Sequence, residues 1–150
     1  MSNLVKVLYD VADIRGRYLC VHDEIFRVSA LKLVRVFSRD PPDPYAAQES
    51  ELDLLLQRLV TARSELEALD EIDLSVRRGR EIRTQLSDYV LALAESVQAL
   101  RSISELMRRR AAKDRTYDPK GLQDLKVSYD DSVQHHKRLG ARLNALVSSL

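Results

Sequence analysis

Three histidines are the first residues in this chain whose type could support chemistry. They are His22, His135 and His136, and a histidine can bind a metal or transfer a proton near neutral pH. In helical bundles, carboxylate-bridged metals are held by Glu-x-x-His pairs on facing helices. The residues three positions before the histidines are Leu19, Ser132 and Val133. The sequence therefore predicts no metal site of that kind.

A metal or redox function that uses His22 and His136 stays open as an alternative. If the predicted helices run up and down in chain order, both histidines fall in the middle third of a bundle, with Tyr18 and Tyr129 near them. Such a group could hold a metal or move a proton. We favour histidines with ordinary hydrogen bonds at or near the core, so the sequence predicts no bound metal and no cofactor.

No other pattern of residues indicates catalysis. Cys20 is the only cysteine, and no histidine lies at a spacing that suggests a nucleophile pair with it. A Gly-rich phosphate loop and a Ser/His/Asp arrangement are absent from the sequence. We therefore predict that the protein is not an enzyme. Because a single cysteine cannot form an intrachain disulfide, it fits a reducing compartment and predicts a cytoplasmic location.

Two clusters of basic residues are candidates for binding an anion. They comprise Arg77, Arg78, Arg80 and Arg83 in the first cluster and Arg108, Arg109, Arg110, Lys113 and Arg115 in the second. Nucleic-acid binding would need such clusters together with interleaved aromatic residues or a known motif, and the net charge of the chain is only +1. Binding of an anionic ligand or nucleic acid through these arginines is an alternative, and nucleic acid is not the partner we expect.

Apolar residues at helical spacing define the element that carries His22 and Cys20. The first predicted helix covers residues 3–37, and its apolar seam recurs at alternating intervals of three and four. The seam consists of Leu4, Val7, Val11, Ile14, Tyr18, Val21, Ile25 and Val28. A second stripe beside it consists of Leu8, Ala12, Leu19, Phe26, Ala30, Leu33 and Phe37. Two stripes make a face so broad that the helix needs neighbours on two sides.

Capping signals place the start of two further helices. In Asp43-Pro44 and in Asp118-Pro119, a carboxylate that can accept from free amides precedes a proline suited to the first helical position. These pairs predict helices that begin at residues 44 and 119.

The join between the second and third helices, within residues 70–79, has no such signal. A break near Ser75 would place basic residues at a helix N-terminus, which is the wrong sign for the helix dipole. A break just before Asp70, which could then cap the third helix, is the better prediction. An unbroken helix from Pro44 to about Ala112 is the alternative.

The predicted fold is all-α, a single domain over residues 1–150 with four long antiparallel helices in an up-down-up-down bundle. Extended helical hairpins that close as a dimer are the alternative. Gly16 and Gly140 fall at similar heights on the first and fourth helices and predict a close approach of the two backbones. The longest purely apolar run, Tyr89 to Ala94, is far shorter than a membrane span, so no membrane partner is expected.

The predicted binding surface is the end of the bundle where loops 38–43 and 111–118 meet. The charged stripe of the first helix stops after Arg27, and apolar residues follow where solvated ones were expected. The surface consists of Leu31, Val34 and Phe37, with Arg108, Arg109, Arg110 and Arg115 at its rim. We predict a non-enzymatic interaction module, an adaptor or assembly subunit that docks a protein partner. The broad face of the first helix also predicts self-association as a homodimer.

Overall fold

The computed structural model of the chain describes residues 2–31 and 44–150, with the side chains of residues 2–27 and 45–150. Within these residues it contains four α-helices, one short 3-10 helix and no strand. The helices are α1 (Asn3–Leu31), α2 (Pro44–Glu67), α3 (Gly79–Ala111) and α4 (Pro119–Ser148), and the 3-10 helix is Asp73–Ser75. The predicted all-α class is confirmed, with helix packing consistent with a bundle.

α3 is the central helix, because it packs against each of the other three. Its apolar side chains are buried along its whole length, from Ile82 in the first turns to Met107 near the end. α1 also packs against α2, whereas α1 and α4 make few close backbone approaches. The core therefore lies between α3 and its neighbours, and the α1–α4 side is the least closely packed.

The two predicted stripes of α1 have different surroundings. The seam is buried at every position whose side chain is described, from Leu4 to Ile25. In the second stripe, Leu8 and Phe26 are only half-buried, and Ala12 and Leu19 are exposed. α1 has neighbours on two sides, α2 and α3, as expected. Beside its N-terminal half, however, α4 stands apart, and part of the second stripe stays uncovered.

The structure interrupts the chain between α2 and α3, so the unbroken helix from residue 44 to residue 112 is wrong. α2 ends at Glu67, close to the predicted break, but Asp70 does not cap α3. Instead the Asp73 amide donates to Asp70 Oδ1 at 2.8 Å, and the Asp70 amide donates to Asp73 Oδ2 at 3.3 Å. Asp73 Oδ1 also accepts from the Asn3 amide at 3.2 Å. The connection is thus stabilised by its own carboxylates and tied to the start of α1.

α3 begins at Gly79, with the basic N-terminus that the dipole argument disfavoured. A Cβ at Gly79 would lie 2.5 Å from the carbonyl oxygen of Leu74, so only glycine fits this approach of two backbones. The charge is offset locally, because Arg78 donates to Glu81 in the first turn of α3 at 2.8 and 2.9 Å. Arg80 pairs with Glu71 at 2.5 Å. These contacts oppose a dipole effect that is worth about 0.3–1 kcal/mol at a surface.

The predicted start of the fourth helix is confirmed. Asp118 is the N-cap of α4, its carboxylate accepts from the Lys120 amide at 3.1 Å, and Pro119 occupies the first turn. α2 likewise begins at Pro44, as predicted, while Asp43 lies outside the described residues.

The predicted close approach of Gly16 and Gly140 is wrong. Among the described residues, no atom outside the local backbone of α1 lies within 4 Å of the place that a Cβ would take at Gly16. A Cβ at Gly140 would lie 3.0 Å from Tyr89 Cε2, so this glycine faces α3 and not α1. The two glycines therefore have different reasons to be tolerated inside a helix.

We expect Gly16→Ala to raise the free energy of unfolding by about 0.5–1 kcal/mol, because alanine loses less backbone entropy in a helix and meets no obstacle here. Gly140→Ala should gain less than Gly16→Ala, or lose stability, because the Tyr89 ring must move to admit the methyl group. Urea denaturation of both variants measures the difference. Equal gains would contradict the contact between Gly140 and Tyr89.

Candidate functional site

A buried polar network joins α1 to α4. The hydroxyls of Tyr18 and Tyr129 are hydrogen-bonded to each other, and both side chains are buried. His22 Nδ1 lies 2.5 Å from the Tyr129 hydroxyl, and Phe26 stacks on the Tyr129 ring with centroids 6.2 Å apart. Residues on successive turns of α1, four positions apart, thus converge on a single tyrosine of α4.

A second network places His136 between α3 and α4. His136 is 2% exposed, and its Nδ1 lies 2.7 Å from Ser96 Oγ. The Ser96 hydroxyl donates to Ser132 Oγ at 3.1 Å, and the Ser132 hydroxyl donates to the Tyr129 carbonyl oxygen at 2.8 Å. The hydroxyl protons of both serines are thus used in other hydrogen bonds, so Ser96 Oγ can only accept from His136. We therefore assign the imidazole proton to Nδ1.

The two networks meet at aromatic contacts and bring together the residues that the sequence singled out. The His136 ring packs edge-on against Tyr18, with centroids 5.8 Å apart, and against Tyr89 at 6.2 Å. His135, the third histidine, is exposed. Within the described residues, no group of three or more His, Cys, Asp or Glu side chains could hold a metal ion.

Burial favours the neutral form of these groups. It raises the pKa of Tyr18 to about 12 and also raises the pKa of Tyr129. Burial, followed by the positive charges of Arg15 and Lys137, lowers the pKa of His136 to about 4. The pKa of His22 is lowered too, again chiefly by burial. A neutral, hydrogen-bonded network of this kind fixes the position of helices, and its histidine partners are hydroxyl groups, not carboxylates.

Removal of one hydroxyl tests this structural role. We expect Tyr129→Phe to lower the free energy of unfolding by about 1–3 kcal/mol, because it leaves the Tyr18 hydroxyl and His22 Nδ1 without their partner. Tyr89 provides the matched control, since its buried hydroxyl has no hydrogen-bond partner among the described residues. Tyr89→Phe should therefore be neutral or stabilising in the same urea titration. A Tyr89→Phe loss as large as that of Tyr129→Phe would contradict the assignment.

The pH dependence of stability tests the burial of His136. Its pKa is lower in the folded state, about 4 against the ordinary 6.5, so the unfolded chain binds more protons between these values. The free energy of unfolding should fall by about 3 kcal/mol as the pH drops from 6.5 to 4, at about 1.4 kcal/mol per pKa unit. Carboxylates with a lowered pKa, such as Asp13, act mainly below this window.

Chemical denaturation at a series of pH values measures this loss in the wild type and in two histidine variants. His136→Gln should reduce the slope of the free energy of unfolding against pH between pH 6.5 and 4, whatever its effect on stability at pH 7. The slope that remains should come from His22. His135→Gln, on the neighbouring exposed position, should keep the wild-type slope. An unchanged slope in His136→Gln would mean that this histidine is not buried in its neutral form.

A long apolar groove lies beside these networks, between the N-terminal half of α1 and the C-terminal half of α4. Its volume is about 680 Å³. Leu8 and Val11 of α1 line one wall, Leu143 and Val147 of α4 line the other, and α3 contributes the floor with residues that include Leu86. Binding cavities in proteins commonly fall in the range of about 300–1,000 Å³, so the groove is large enough to receive a ligand.

The charged residues of the groove are all basic. Arg15, Arg77 and Lys137 line it, and within the described residues no acidic side chain does. Arg15 is exposed, and its charge lowers the pKa of His136 and opposes the rise in the pKa of Tyr89. The groove therefore combines an apolar interior with a positively charged rim.

The sequence prediction missed this groove. Its signal was present in the second stripe of α1, which begins at Leu8, and in the absence of acidic residues from position 132 to position 150. Neither pattern by itself shows that α1 and α4 stand apart, because that depends on how four helices pack together.

The predicted surface at the other end of the bundle is only partly described. The side chains of Leu31, Val34 and Phe37 lie outside the described residues. Of its basic rim, Arg108 Nε lies 3.3 Å from Glu49 Oε1, and Arg109 Nη2 lies 2.7 Å from Glu105 Oε1. Arg110 and Arg115 are exposed. Two of the four arginines thus already have acidic partners within the chain.

Comparison with protein-family models, with curated proteins and with solved structures finds no match to this chain. Within the part of the chain that the structure describes, no helix has the length and apolar content that a membrane crossing requires. A function for this chain must therefore be inferred from the contacts, burial and charge of its described residues.

Proposed function

We propose that this chain is a non-enzymatic protein-interaction module that docks a helical segment of a protein partner in the groove between α1 and α4. The observation that carries the proposal is the groove itself, with apolar walls from two helices and a floor from a third. Grooves of this shape receive amphipathic helices in several unrelated protein classes. A continuous exposed apolar surface on a monomer commonly marks an interaction site.

The proposal includes the up-down-up-down arrangement of the four helices. Ion pairs between α1 and α2 support it, because the residue numbers rise along one helix as they fall along the other. They are Lys6–Glu65, Asp13–Arg58 and Arg17–Glu51. The pairs Arg101–Asp53 and Arg108–Glu49 follow the same order between α2 and α3, and Ser96–His136 and Arg78–Ser149 do so between α3 and α4.

The surface predicted at the opposite end, with Leu31, Val34 and Phe37 and the arginine rim, stays in the proposal as a second docking surface. We also propose self-association as a homodimer, for which Leu19, an exposed residue of the second stripe that does not line the groove, is the support. Exposed free Cys20 is in keeping with the cytoplasmic location that we propose.

The alternative functions have less support from the contacts. Binding of an anion or nucleic acid through the arginines competes with ion pairs inside the chain, such as Arg78–Glu81 and Arg80–Glu71. A metal or redox centre at His22 and His136 would have to replace hydrogen bonds that those histidines make to Tyr129 and Ser96. We therefore rank the interaction module above both.

Selection of helical peptides tests the docking function. A display library of single helices of about 15 residues, enough to span about 20 Å, carries either apolar or polar residues at the i, i+3, i+4 and i+7 positions of one face. Selection against the full chain should enrich the apolar face. Failure to enrich it would contradict the docking function.

Two variants with the same substitution locate the binding. Val147→Glu places a charge in the groove wall and should weaken the selected peptides about tenfold or more, because the carboxylate would lose water on binding. Val127→Glu is the control, since Val127 is an exposed valine of the same helix that does not line the groove. Both variants should melt near the wild-type temperature. Equal affinities for the two variants would show that the peptides bind elsewhere.

A further inference from the structure

We infer that the occupant of the α1–α4 groove is an amphipathic helix with acidic residues at both ends of its apolar face. The inference rests on the proposed docking function and adds the chemistry of the partner. It derives from the positions of three cations, from the distance between them and from the extent of the apolar surface.

The cations that line the groove differ from those on the side of α1 that faces α2. On the side that faces α2, Lys6 pairs with Glu65 and Arg17 pairs with Glu51. Within the described residues, Arg15, Arg77 and Lys137 form no ion pair of this kind. Positive charges that line an apolar surface and are not paired with a carboxylate attract a partner of opposite charge and orient it.

These cations lie at the two ends of the groove. Arg15 lies about one turn before Tyr18 on α1, and Lys137 follows His136 on α4. The rings of Tyr18 and His136 are 5.8 Å apart, so the two cations mark the end where α1 and α4 meet. Arg77 marks the other end, because its neighbour Arg78 donates to Ser149 Oγ at 3.1 Å, near the C-terminus of α4. From Lys137 to Ser149 the helix rises about 18 Å at 1.5 Å per residue. Acidic residues about three turns apart on a bound helix would therefore reach both ends.

The apolar surface extends beyond the cavity in a way that favours a helix over a small amphiphile. Tyr9 is 67% exposed and Val147 is 38% exposed, and both line the groove. Sites for small ligands bury most of the ligand surface and place few polar groups at defined points. An open groove with exposed apolar residues at its edge and cations at both ends fits a longer partner with an apolar face and two charged ends.

A second peptide library tests the charge preference. The apolar face is kept constant, and the positions at the two ends are randomised among Glu, Gln and Lys. Selection against the full chain should enrich Glu over Lys at both ends by about fivefold, as expected for exposed ion pairs. In the variant Arg15→Glu/Lys137→Glu, the end that faces these positions should change its preference to Lys, and the other end should keep Glu.

Arg138→Glu/Arg142→Glu is the matched control, because it makes the same change in net charge with two exposed residues of α4 that do not line the groove. It should keep Glu at both ends. Equal enrichment of Glu and Lys in the wild type, or an identical change in the control, would overturn the inference while leaving docking of an apolar helix intact. If the wild-type chain selects no peptide with an apolar face, the docking function itself is wrong.

Two other occupants have their own readouts. Dodecanoate, a single-headed anionic amphiphile, should displace the selected peptides poorly. If it binds one per chain, displaces them fully and loses affinity in Arg15→Glu/Lys137→Glu, the helix assignment is wrong. If light scattering finds a dimer that the same variant dissociates and the control does not, the occupant is a second copy of this chain, and the inference is also wrong.

Discussion

The hydrogen bond between the hydroxyls of Tyr18 and Tyr129 determines where α1 meets α4. A buried hydroxyl without a partner is costly, so the two helices must approach each other at this height. His22 and Phe26 extend the contact along α1 in one direction only. In the other direction no comparable polar contact among the described residues draws the helices together, and the groove opens between them. The contact between Tyr18 and Tyr129 thus accounts both for the buried polar network and for the groove that opens beside it.

The central position of α3 makes the groove compatible with a stable fold. Because α3 packs against all three other helices, α1 and α4 can each bury their main seam without closing on each other. Leu4 and Val11 of α1 are buried although they line the groove. Among the groove residues that remain half-buried or exposed are Leu8, from the second stripe of α1, and Val147 of α4. A bundle can therefore offer apolar surface to a partner and keep its own core intact.

Local sequence patterns predicted the main helices. The features that they did not predict depend on packing between residues that are distant in the sequence. The seam from Leu4 to Ile25 and the Asp118-Pro119 cap follow from spacing and capping chemistry. The start of α3 was predicted incorrectly, because the dipole argument omitted the Arg78–Glu81 pair and the approach of Gly79 to the Leu74 carbonyl. The groove was missed for a further reason. An apolar stripe such as that of Leu8 indicates a need for cover, but not whether the cover comes from the same chain.

The separation of Tyr18 and Tyr129 along the chain has a consequence for folding and opening. The pairs α1–α2, α2–α3 and α3–α4 join neighbours in the sequence, whereas the α1–α4 contact closes a loop across 111 residues. Contacts that are distant in sequence cost the most chain entropy to form and generally form late. α1 and α4 also make few close backbone approaches, and elements with few contacts are among the least costly to open in partial unfolding. In partial unfolding, α1 and α4 should therefore separate from each other before the other helix pairs do. The apolar groove lies between the same two helices.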